Sequence, residues 1–391
     1  MVDSDFSAEA IRAAYSGKMA FCKFLSANDT GDTGAHQSGI YVQKHAFPIL
    51  FDEEGVKGEN KDKYVHIRWQ NSFETSSRFI YYGKGTRNEY RITRGIPDLD
   101  PEHTGDLFVL VKLDPENYLA YMLQTEDEIN SFLNEFGMSP ADTGGIIQKE
   151  DLKLGHTISP EELSIMAYIE GLNVDFPSSA EMSEAARSIY NEIFNHKENI
   201  RTNPDKEIIG WVDMEYRLFR MLETYRYGSR ISKGFDSVEE FIKIANVVLN
   251  RRKSRAGKSL EHHLSAIFDG NSLRYVPQPV TEGHKKPDFL FPDAGSYHDH
   301  SFPADHLIFL GAKTTCKDRW RQILNEADRI NVKHLFTLQQ GISVRQLDEM
   351  EKAGVILVVP KLYIKTFPKE KQDSIWTLKK FIDYVKEKES V

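Results

Sequence analysis

The chain has 391 residues, of which 40% are apolar, so it can form two domains of ordinary size that each bury a core. Its formal net charge of −9 argues against unspecific coating of nucleic acid, which relies on many phosphate-neutralising cations, but it permits local basic patches. The two cysteines, Cys22 and Cys316, are too few for a disulfide framework or a zinc cluster built from thiols.

The first residues lack a basic and then apolar leader, and no apolar run reaches the roughly 20 residues that span a bilayer. We therefore expect a cytoplasmic protein that keeps its thiols reduced and does not contact a membrane.

The pattern of residues 1–150 predicts an all-β domain. In the third of its apolar runs, Val65, Ile67 and Trp69 alternate with polar residues, which indicates a strand with one buried face. A barrel or a sandwich is expected, followed by a helix over 126–136. The predicted strands are FCKFLSAN, GIYVQ, YVHIRWQ, RFIYYG, YRITR, LFVLVKL and YLAYML.

Residues 151–172 are predicted to be a linker, because the sequence from about 138 to 160 is rich in Gly, Pro and charge and has no sustained period. An α/β domain is predicted over 173–391. Ser178 and Glu181 resemble a capping box, and helical patterns then alternate with the apolar runs DFLF, LIFLGAKTT, HLFTL and VILVV. This alternation predicts a central mixed sheet.

The chemistry-bearing residues lie between positions 285 and 330. Asp288 precedes one predicted strand, and Lys313 lies in the next, where a lysine needs either a polar role or a route to solvent. The position two residues before it, which is often acidic in such motifs, is Gly311. Glu326 lies in a polar stripe of the predicted following helix and can turn toward the sheet. Two carboxylates and a lysine suit metal-dependent phosphodiester hydrolysis, although ordinary surface salt bridges use the same residue types.

Longer words in the sequence resemble the EcoRII family of restriction endonucleases. RRKSRAGKSLE, KKPDFLFPDAGSYHD and AKTTCKDRWRQILNEAD resemble the family's catalytic domain. SANDTGDTGAHQ and GKGTRNEYRITR resemble its N-terminal effector domain. The resemblance spans both halves in the same order. It implies an N-terminal B3-like pseudobarrel and a PD-(D/E)XK-like catalytic domain whose second acid has moved to the helix after the lysine-bearing strand.

The resemblance also implies an activity. We expect a type IIE enzyme that works as a homodimer on double-stranded DNA, requires Mg²⁺ and cuts a CCWGG-like site ahead of its first C. A cytosine methyltransferase is expected in the same system. GKGTRNEY departs from the family's pattern by an extra Gly and by a Tyr at a basic position, which leaves the central base pair, and therefore CCNGG, open.

The resemblance implies roles for particular residues of the C-terminal half. Asp288, Lys313 and Glu326 would form the catalytic set, with Asp288 and Glu326 binding Mg²⁺ and with Tyr297 and Glu261 as neighbours.

Two further groups would contact DNA in the C-terminal half. The triplet Lys317, Asp318 and Arg319 matches the family's base-reading triplet, and these residue types suit guanine and cytosine edges in the major groove. Asp318 is also placed to cap the following predicted helix. An upstream basic run with no acid in it would hold phosphates, although charge runs are usually solvated faces. The run's candidates are Arg251, Arg252 and Arg255.

The N-terminal half carries a second set of candidate DNA contacts on a strand-turn-strand segment and its facing loops, where an exposed hairpin with ordinary surface charge is the alternative. The candidates are Lys23, His36, Tyr41, Lys84, Arg87, Glu89 and Arg91.

Two other functions stay open: a DNA-binding regulator on a decayed nuclease fold, and a repair or methylation-dependent nuclease that cuts only damaged or modified DNA. Because both halves are expected to bind DNA, we also hypothesise that the N-terminal domain occludes the catalytic cleft until it binds a second copy of the site.

Overall fold

The computed structural model describes residues 6–32, 39–97, 99–148, 159–194 and 199–389. Within the first three ranges the helices and strands, in chain order, are α1 (Phe6–Ser16), β1 (Met19–Phe24), α2 (Ala27–Thr30), β2 (Ile40–Val42), β3 (Lys61–Trp69), β4 (Glu74–Tyr82), β5 (Glu89–Thr93), β6 (Leu107–Lys112), β7 (Asn117–Leu123), α3 (Glu126–Glu135) and β8 (Gly145–Ile146).

The last two ranges form the C-terminal half. Its helices and strands are α4 (Pro160–Glu170), α5 (Ser179–Phe194), α6 (Asn199–Thr202), α7 (Pro204–Lys233), α8 (Val238–Gly270), β9 (Val276–Pro277), β10 (Phe289–Phe291), α9 (Ala294–His298), β11 (Ile308–Lys313), β12 (Lys333–Thr337), α10 (Val344–Lys352), β13 (Val355–Val358) and α11 (Leu378–Glu389).

The N-terminal strands form one sheet in the order β2-β5-β4-β3-β7-β6-β1-β8, in which β3 and β7 are parallel and the other neighbours antiparallel. The seven predicted strands are confirmed. In β3 the side chains of Val65, Ile67 and Trp69 are buried, whereas His66 and Arg68 are exposed.

Helices cover the second face of the N-terminal sheet. Strand β6 is buried along its whole length, because one face lies in the sheet's interior cluster and the other under α1 and α3. Phe132 of α3 is fully buried in this second cluster. The predicted helix over 126–136 is therefore confirmed, and the description of the domain as all-β is too narrow.

The C-terminal sheet has the order β13-β12-β11-β10-β9. Strands β9, β10 and β11 are antiparallel neighbours, whereas β11, β12 and β13 run parallel. This confirms the predicted central mixed sheet. The ring of Phe268 in α8 packs edge-on against Phe289 and Phe291 of β10, so the long helix is fixed against the strand that follows Asp288.

The predicted linker includes a helix that belongs to the C-terminal core. Helix α4 begins after a capping box formed by Ser159 and Glu162, and its Ile165 and Ile169 are fully buried in that core. Residues 139–148, on the other side, belong to the N-terminal half, where β8 pairs with β1. The prediction of a linker over 151–172 is therefore too long at its C-terminal end.

Helices α7 and α8 form a long antiparallel hairpin whose tip carries exposed apolar side chains. The apolar spacing of residues 238–249 is typical of a helix with one buried face, but in α8 Phe241 and Ile242 of this face are half exposed. Within the part of the chain that the structure describes, no helix is both long and apolar enough to cross a bilayer.

The two halves contact each other directly. Thr315, after β11, donates a hydrogen bond from Oγ1 to Asn130 Oδ1 of α3 at 3.0 Å. Gln339 donates from Nε2 to the Gly105 carbonyl at 2.8 Å, and Gln340 does so to the Pro140 carbonyl at 2.6 Å. These contacts place α3 and the loop before β6 against the carboxyl ends of β11 and β12.

Candidate active site

Asp288 and Lys313 lie next to each other at one edge of the C-terminal sheet. Antiparallel pairing of Phe289 with Leu310 places Asp288 beside the end of β11. Its Oδ2 accepts a hydrogen bond from the backbone N–H of Ala312 at 2.8 Å. This bond orients the carboxylate toward the end of β11, where Lys313 lies. The predicted pairing of an acid before one strand with a lysine in the next is therefore present.

Glu326 reaches the same cluster, but not from the predicted helix. Residues Arg319–Asn325 form a 3-10 helix, and Glu326 follows it in an extended conformation. Burial raises the pKa of Glu326 to about 7, and repulsion from the Asp288 carboxylate adds to the shift, whereas Lys313 opposes it. The side chain therefore lies within electrostatic range of both residues, as the sequence-based hypothesis requires.

Glu261 of α8 is the third carboxylate at this site. Burial raises its pKa, the Asp288 charge raises it further, and Lys313 lowers it. Its Oε2 accepts a hydrogen bond from Gln278 Nε2 at 2.7 Å, which fixes the side chain beside β9. Burial likewise raises the pKa of Asp288, where the Ala312 N–H opposes the shift. Repulsion among these acids is partly offset by Lys313.

The structure explains why the position two residues before Lys313 is a glycine. A Cβ at Gly311 would lie 3.0 Å from Cγ2 of Ile323 and 3.4 Å from Cδ1 of Leu335. An acidic side chain there would point into the apolar core, where an ionised carboxylate is strongly disfavoured. A second acid for this site would therefore have to come from another segment, and Glu326 is a candidate because it interacts electrostatically with Asp288 and Lys313.

The acids fit a hard divalent cation. Asp288 and Glu326 offer carboxylate oxygens, which Mg²⁺ prefers, and a bound cation would offset the burial that raises both pKa values as well as the repulsion from Asp288 that adds to the shift of Glu326. Among the residues that the structure describes, no group of three or more His, Cys, Asp and Glu side chains meets the geometry of a complete metal site. A donor set of two carboxylates with waters and a substrate phosphate is the usual arrangement for Mg²⁺.

Tyr297 is close to this site but serves a structural contact. Its hydroxyl donates to the Glu282 carboxylate and accepts weakly from the Arg329 N–H at 3.4 Å. The Tyr297 ring is fully buried, and Arg329 donates to the carbonyls of Asp299 and Phe302 in the loop after Tyr297. Tyr297 therefore braces the segment just after Glu326 rather than the acids themselves.

Helix α3 of the N-terminal half lies over a cleft that contains Asp288 and Lys313. The cleft is lined on one side by Glu261, Asp288 and Lys313, and on the other by Glu126 and Asn130 of α3. Burial and the neighbouring Asp318 raise the pKa of Glu126 to about 7, and Lys313 lowers it. An acidic side chain of the other domain therefore lies in the cleft close to the candidate catalytic lysine.

Two family models match the chain. The model for the EcoRII C terminal matches residues 219–382, and the model for the N-terminal domain of restriction endonuclease EcoRII matches residues 14–136. The type II restriction enzyme EcoRII of Escherichia coli is 38% identical over 413 aligned positions, which cover 98% of this chain and 97% of that protein. This chain belongs to the EcoRII family of restriction endonucleases. It is a type II enzyme that cuts DNA site-specifically.

Two solved structures share 18% identity with the chain. A metal-depleted Ecl18kI complex with uncleaved, modified DNA covers 59% of this chain and 85% of its own, with a TM-score of 0.45. A complex of the restriction endonuclease PspGI with substrate DNA covers 55% of this chain and 93% of its own, with a TM-score of 0.44.

The residues that match the base-reading triplet of the EcoRII family all contact the N-terminal half. Lys317 is buried and forms an ion pair with Asp106, and Arg319 pairs with Asp127. Asp318 does not cap the following helix, because its Oδ1 accepts from the Glu126 backbone N–H at 3.0 Å. The polar groups expected to face bases are instead bonded to α3 and to the loop before β6.

The basic run upstream of Glu261 faces inward at three of its positions. Arg255 is buried, with its guanidinium 3.7 Å from the Tyr216 ring centroid, so it does not present its charge at the surface in this conformation, as the predicted phosphate contact would require. Arg252 pairs with Glu223 at 2.9 Å and donates to backbone carbonyls at the end of α3. Arg251 donates to the Tyr227 hydroxyl.

The exposed cations of this basic run are its two lysines. Lys253 and Lys258 are exposed on α8, and Lys253 lines the cleft. Lys253 directly follows Arg252, and Lys258 lies three positions after Arg255, so only the burial pattern of α8 distinguishes the lysines from the inward-facing arginines.

The candidate contacts of the effector half divide by burial. Lys23 is buried and pairs with Asp29 at 2.6 Å, and Arg91 is buried beside Glu89, at 3.3 Å. These two cations stabilise the sheet in this conformation and do not present their charge at the surface.

The other effector candidates are more accessible. Lys84 and Arg87 are exposed on the turn between β4 and β5. Tyr41 is half-buried, and its carbonyl accepts from Lys23 Nζ at 3.0 Å. His36 lies outside the described residues. The exposed turn therefore keeps its predicted basic character.

Sequence reasoning missed the residues that α3 and the loop before β6 contribute. Glu126, Asp127 and Asp106 are ordinary acids in the sequence, and their partners lie about 190 to 210 positions away. The acidic first turn of α3 could have pointed to them, because its negative charge is opposite to that of Lys317 and Arg319.

Proposed function

We propose that the enzyme makes Mg²⁺-dependent double-strand cuts at a CCWGG-like sequence and that its N-terminal domain holds the catalytic cleft closed until that domain binds a second copy of the site. The position of α3 over the cleft carries this proposal. Glu126 and Asn130 of α3 line the same cleft as Asp288 and Lys313, so we expect that α3 has to move away before a duplex can reach these residues.

The acids and the lysine suit a defined division of roles. Asp288 and Glu326 would hold Mg²⁺, which when bound favours a hydroxide-like nucleophile and offsets charge on the phosphorane. Lys313 would orient the attacking water through its ammonium donors, and in-line attack would leave a 5′-phosphate. Glu261 would remain hydrogen-bonded to Gln278 and limit the directions in which water approaches.

Lys313→Ala tests the catalytic role. The variant should bind the site as the parent enzyme does but should lose cleavage of unmodified plasmid DNA in Mg²⁺. Lys352→Ala, at the exposed end of α10, is the matched control and should cut normally. Cleavage by the Lys313 variant at the parent rate would exclude this assignment, and cleavage confined to damaged or modified DNA would favour a repair-type nuclease.

The closed state is supported by the contacts of the base-reading triplet. Lys317, Asp318 and Arg319 each bond to the N-terminal half, so DNA and that half would compete for the same groups. A chain that begins at Ser159 should cut a plasmid with a single site, whereas the full chain should need two sites. The idea fails if the shortened enzyme still needs two.

We propose that the enzyme is a homodimer that buries the tip of the α7 and α8 hairpin. Ile231, Val238, Phe241 and Ile242 are half exposed or more there, and contiguous apolar patches of this kind mark protein interfaces. Phe241→Glu should convert the dimer to a monomer in sedimentation experiments. A wild-type sedimentation profile for that variant would place the interface elsewhere.

We also propose a fold for the N-terminal sheet, a cellular location and an accompanying methyltransferase. The N-terminal sheet is assigned as a B3-like pseudobarrel, because the 3-10 segment Lys44–Ile49 contacts β1, β5 and β8 and so bridges strands near both ends of the sheet. A family that restricts DNA implies a cytoplasmic location and a cognate cytosine methyltransferase in the same system. Digestion of methylated and unmethylated plasmid, with sequencing of the ends, identifies the site and its central base pair.

A further inference from the structure

A buried lysine outside the catalytic set holds the segment that carries Glu326. Lys333 begins β12, and its side chain is 5% exposed. Its Nζ donates to the backbone carbonyls of Glu326, Ala327 and Ile330, the latter two at 3.0 and 2.9 Å. An ammonium has three donors, and all three are used on one turn of backbone.

This turn needs an external partner, because its conformation is unusual. The 3-10 helix ends at Asn325, Glu326 is extended, and Ala327 adopts φ 52°. Left-handed backbone is disfavoured for residues other than glycine. Three carbonyls converge on one ammonium and hold the peptide planes on both sides of Ala327. These contacts fix the direction in which the Glu326 side chain extends from the backbone.

A second set of contacts fixes the same turn from the other side. Glu282 accepts from the Asp328 N–H at 3.3 Å, and the Tyr297 hydroxyl bonds to both Glu282 and the Arg329 N–H. Lys333 therefore acts on the carbonyls of the turn, whereas Glu282 and Tyr297 act on its amides. The charge of Lys333 also opposes the rise in the pKa of Glu326.

We propose that Lys333 is a positioning residue that directs the Glu326 carboxylate toward Asp288 and Lys313. The proposal rests on the proposed function, in which Glu326 is a metal ligand. A hydrophobic residue of similar length would fill the same volume beside the Phe309 ring, which lies 5.1 Å from Nζ, so packing alone does not require a charge here. The polar contacts of Lys333 supply the reason for it.

Lys333→Met tests the proposal in the full chain, because it keeps the length of the side chain and removes its donors. The concentration of Mg²⁺ for half-maximal cleavage should rise roughly tenfold or more, as for other residues that orient metal ligands. The rate at saturating Mg²⁺ should approach that of the parent, and the acid limb of the pH profile should move to higher pH. Lys352→Met is the matched control.

The outcomes separate a positioning role from general damage. Binding of site DNA without metal should stay within about twofold of the parent, since about 0.4 kcal/mol is the corresponding difference. A rate that falls equally at every Mg²⁺ concentration, with no shift in half-saturation, would overturn the proposal. If Lys333→Met does not fold, Lys333→Gln replaces it, because glutamine keeps a hydrogen-bond donor. The Mg²⁺ concentration for half-maximal cleavage should then rise in the same direction but by a smaller factor.

Glu326→Gln is measured alongside and keeps the two proposals distinct. If it cuts like the parent, the proposed role of Glu326 is wrong. If it is inactive while Lys333→Met has the parent's half-saturation and pH profile, only the positioning role of Lys333 is wrong.

Discussion

Asp318, in the catalytic half, accepts a hydrogen bond through Oδ1 from the backbone N–H of Glu126, in the N-terminal half, at 3.0 Å. The bond provides a partner for the first N–H of α3, which has no acceptor within the helix, and it uses an acid that is expected to face cytosine. It therefore couples access to the proposed base-reading triplet to the position of α3. Ionic contacts on both sides, Lys317 with Asp106 and Arg319 with Asp127, make the coupling electrostatic.

Reversal of one of these charges should weaken the closed state. Asp127→Lys removes the attraction to Arg319 and replaces it with repulsion, which for an exposed pair amounts to about 1 kcal/mol, or roughly a fivefold change in the open-to-closed ratio. Cleavage of a plasmid with one site should rise by about that factor. Added salt should reduce the difference from the parent.

Glu74→Lys is the matched control for this experiment, because it makes the same charge change at an exposed position of β4. Equal stimulation by both variants would show that added positive charge, rather than domain release, increases the rate.

Gly311 should resist restoration of the usual acidic motif. Gly311→Asp places a carboxylate against Ile323 and Leu335, so we expect the free energy of unfolding to fall by about 2–4 kcal/mol and cleavage not to improve. Urea denaturation measures the loss. Gly257→Ala, where no heavy atom lies within 4 Å of the added Cβ, is the control and should be neutral or slightly stabilising. A stable and active Gly311 variant would contradict the packing argument.

The sequence predicted the sheet-borne part of the site well. Asp288 and Lys313 end up adjacent because consecutive apolar runs formed neighbouring antiparallel strands, and the residues that flank such strands meet at one edge. The position of Glu326 beside them was also anticipated. The prediction that Glu326 lies in an α-helix was wrong. The apolar spacing of Trp320, Ile323 and Ala327 is satisfied equally by a 3-10 helix followed by a left-handed residue.

Contacts between the halves could not be predicted in the same way. Periodicity reports which face of an element is buried, but an ion pair such as Lys317 with Asp106 joins residues that share no local pattern. The inward orientation of Arg255 was hidden for a similar reason. A basic run suggests a solvated face, whereas here Tyr216 and the buried acid Glu215 of α7 accommodate one of its guanidinium groups.

The cations of α8 are either buried, as Arg255 is, or exposed, as Lys253 is, and substitutions in the two classes should change different properties. Arg255→Met should lower the free energy of unfolding by about 2–4 kcal/mol, because it removes a buried cation stacked on an aromatic ring near Glu215. The salt dependence of DNA affinity should stay unchanged. Lys253→Met should do the reverse: stability should change little, and the slope of log affinity against log salt should fall by roughly 0.9.

Denaturation curves and DNA titrations at several salt concentrations, on both variants in parallel, check the assignment. A reduced salt slope together with normal stability for the Arg255 variant would instead show that Arg255 contacts DNA phosphate, as the sequence predicts.

The raised pKa of Glu326 predicts a conflict between stability and catalysis. A carboxyl whose pKa is about 7 in the folded enzyme and near 4.5 when unfolded favours folding while it is protonated, and this contribution is lost as pH rises from about 4.5 to 7. In metal-free buffer at pH 8 the ionised group therefore costs about 1–3 kcal/mol. Glu326→Gln should raise the melting temperature at pH 8, change it little at pH 4.5, and abolish cleavage.

The measurement is a series of thermal melts in EDTA from pH 4.5 to 8, with cleavage assayed in Mg²⁺. Glu282→Gln serves as a contrast, because the Tyr297 hydroxyl and the Asp328 N–H keep the pKa of Glu282 below its usual value, so its neutral variant should not gain stability at pH 8. Mg²⁺ should narrow the difference between the parent and Glu326→Gln, since a bound cation stabilises only the carboxylate. A Gln variant with no gain at pH 8 would mean that neither burial nor Asp288 disfavours the Glu326 charge in the folded enzyme.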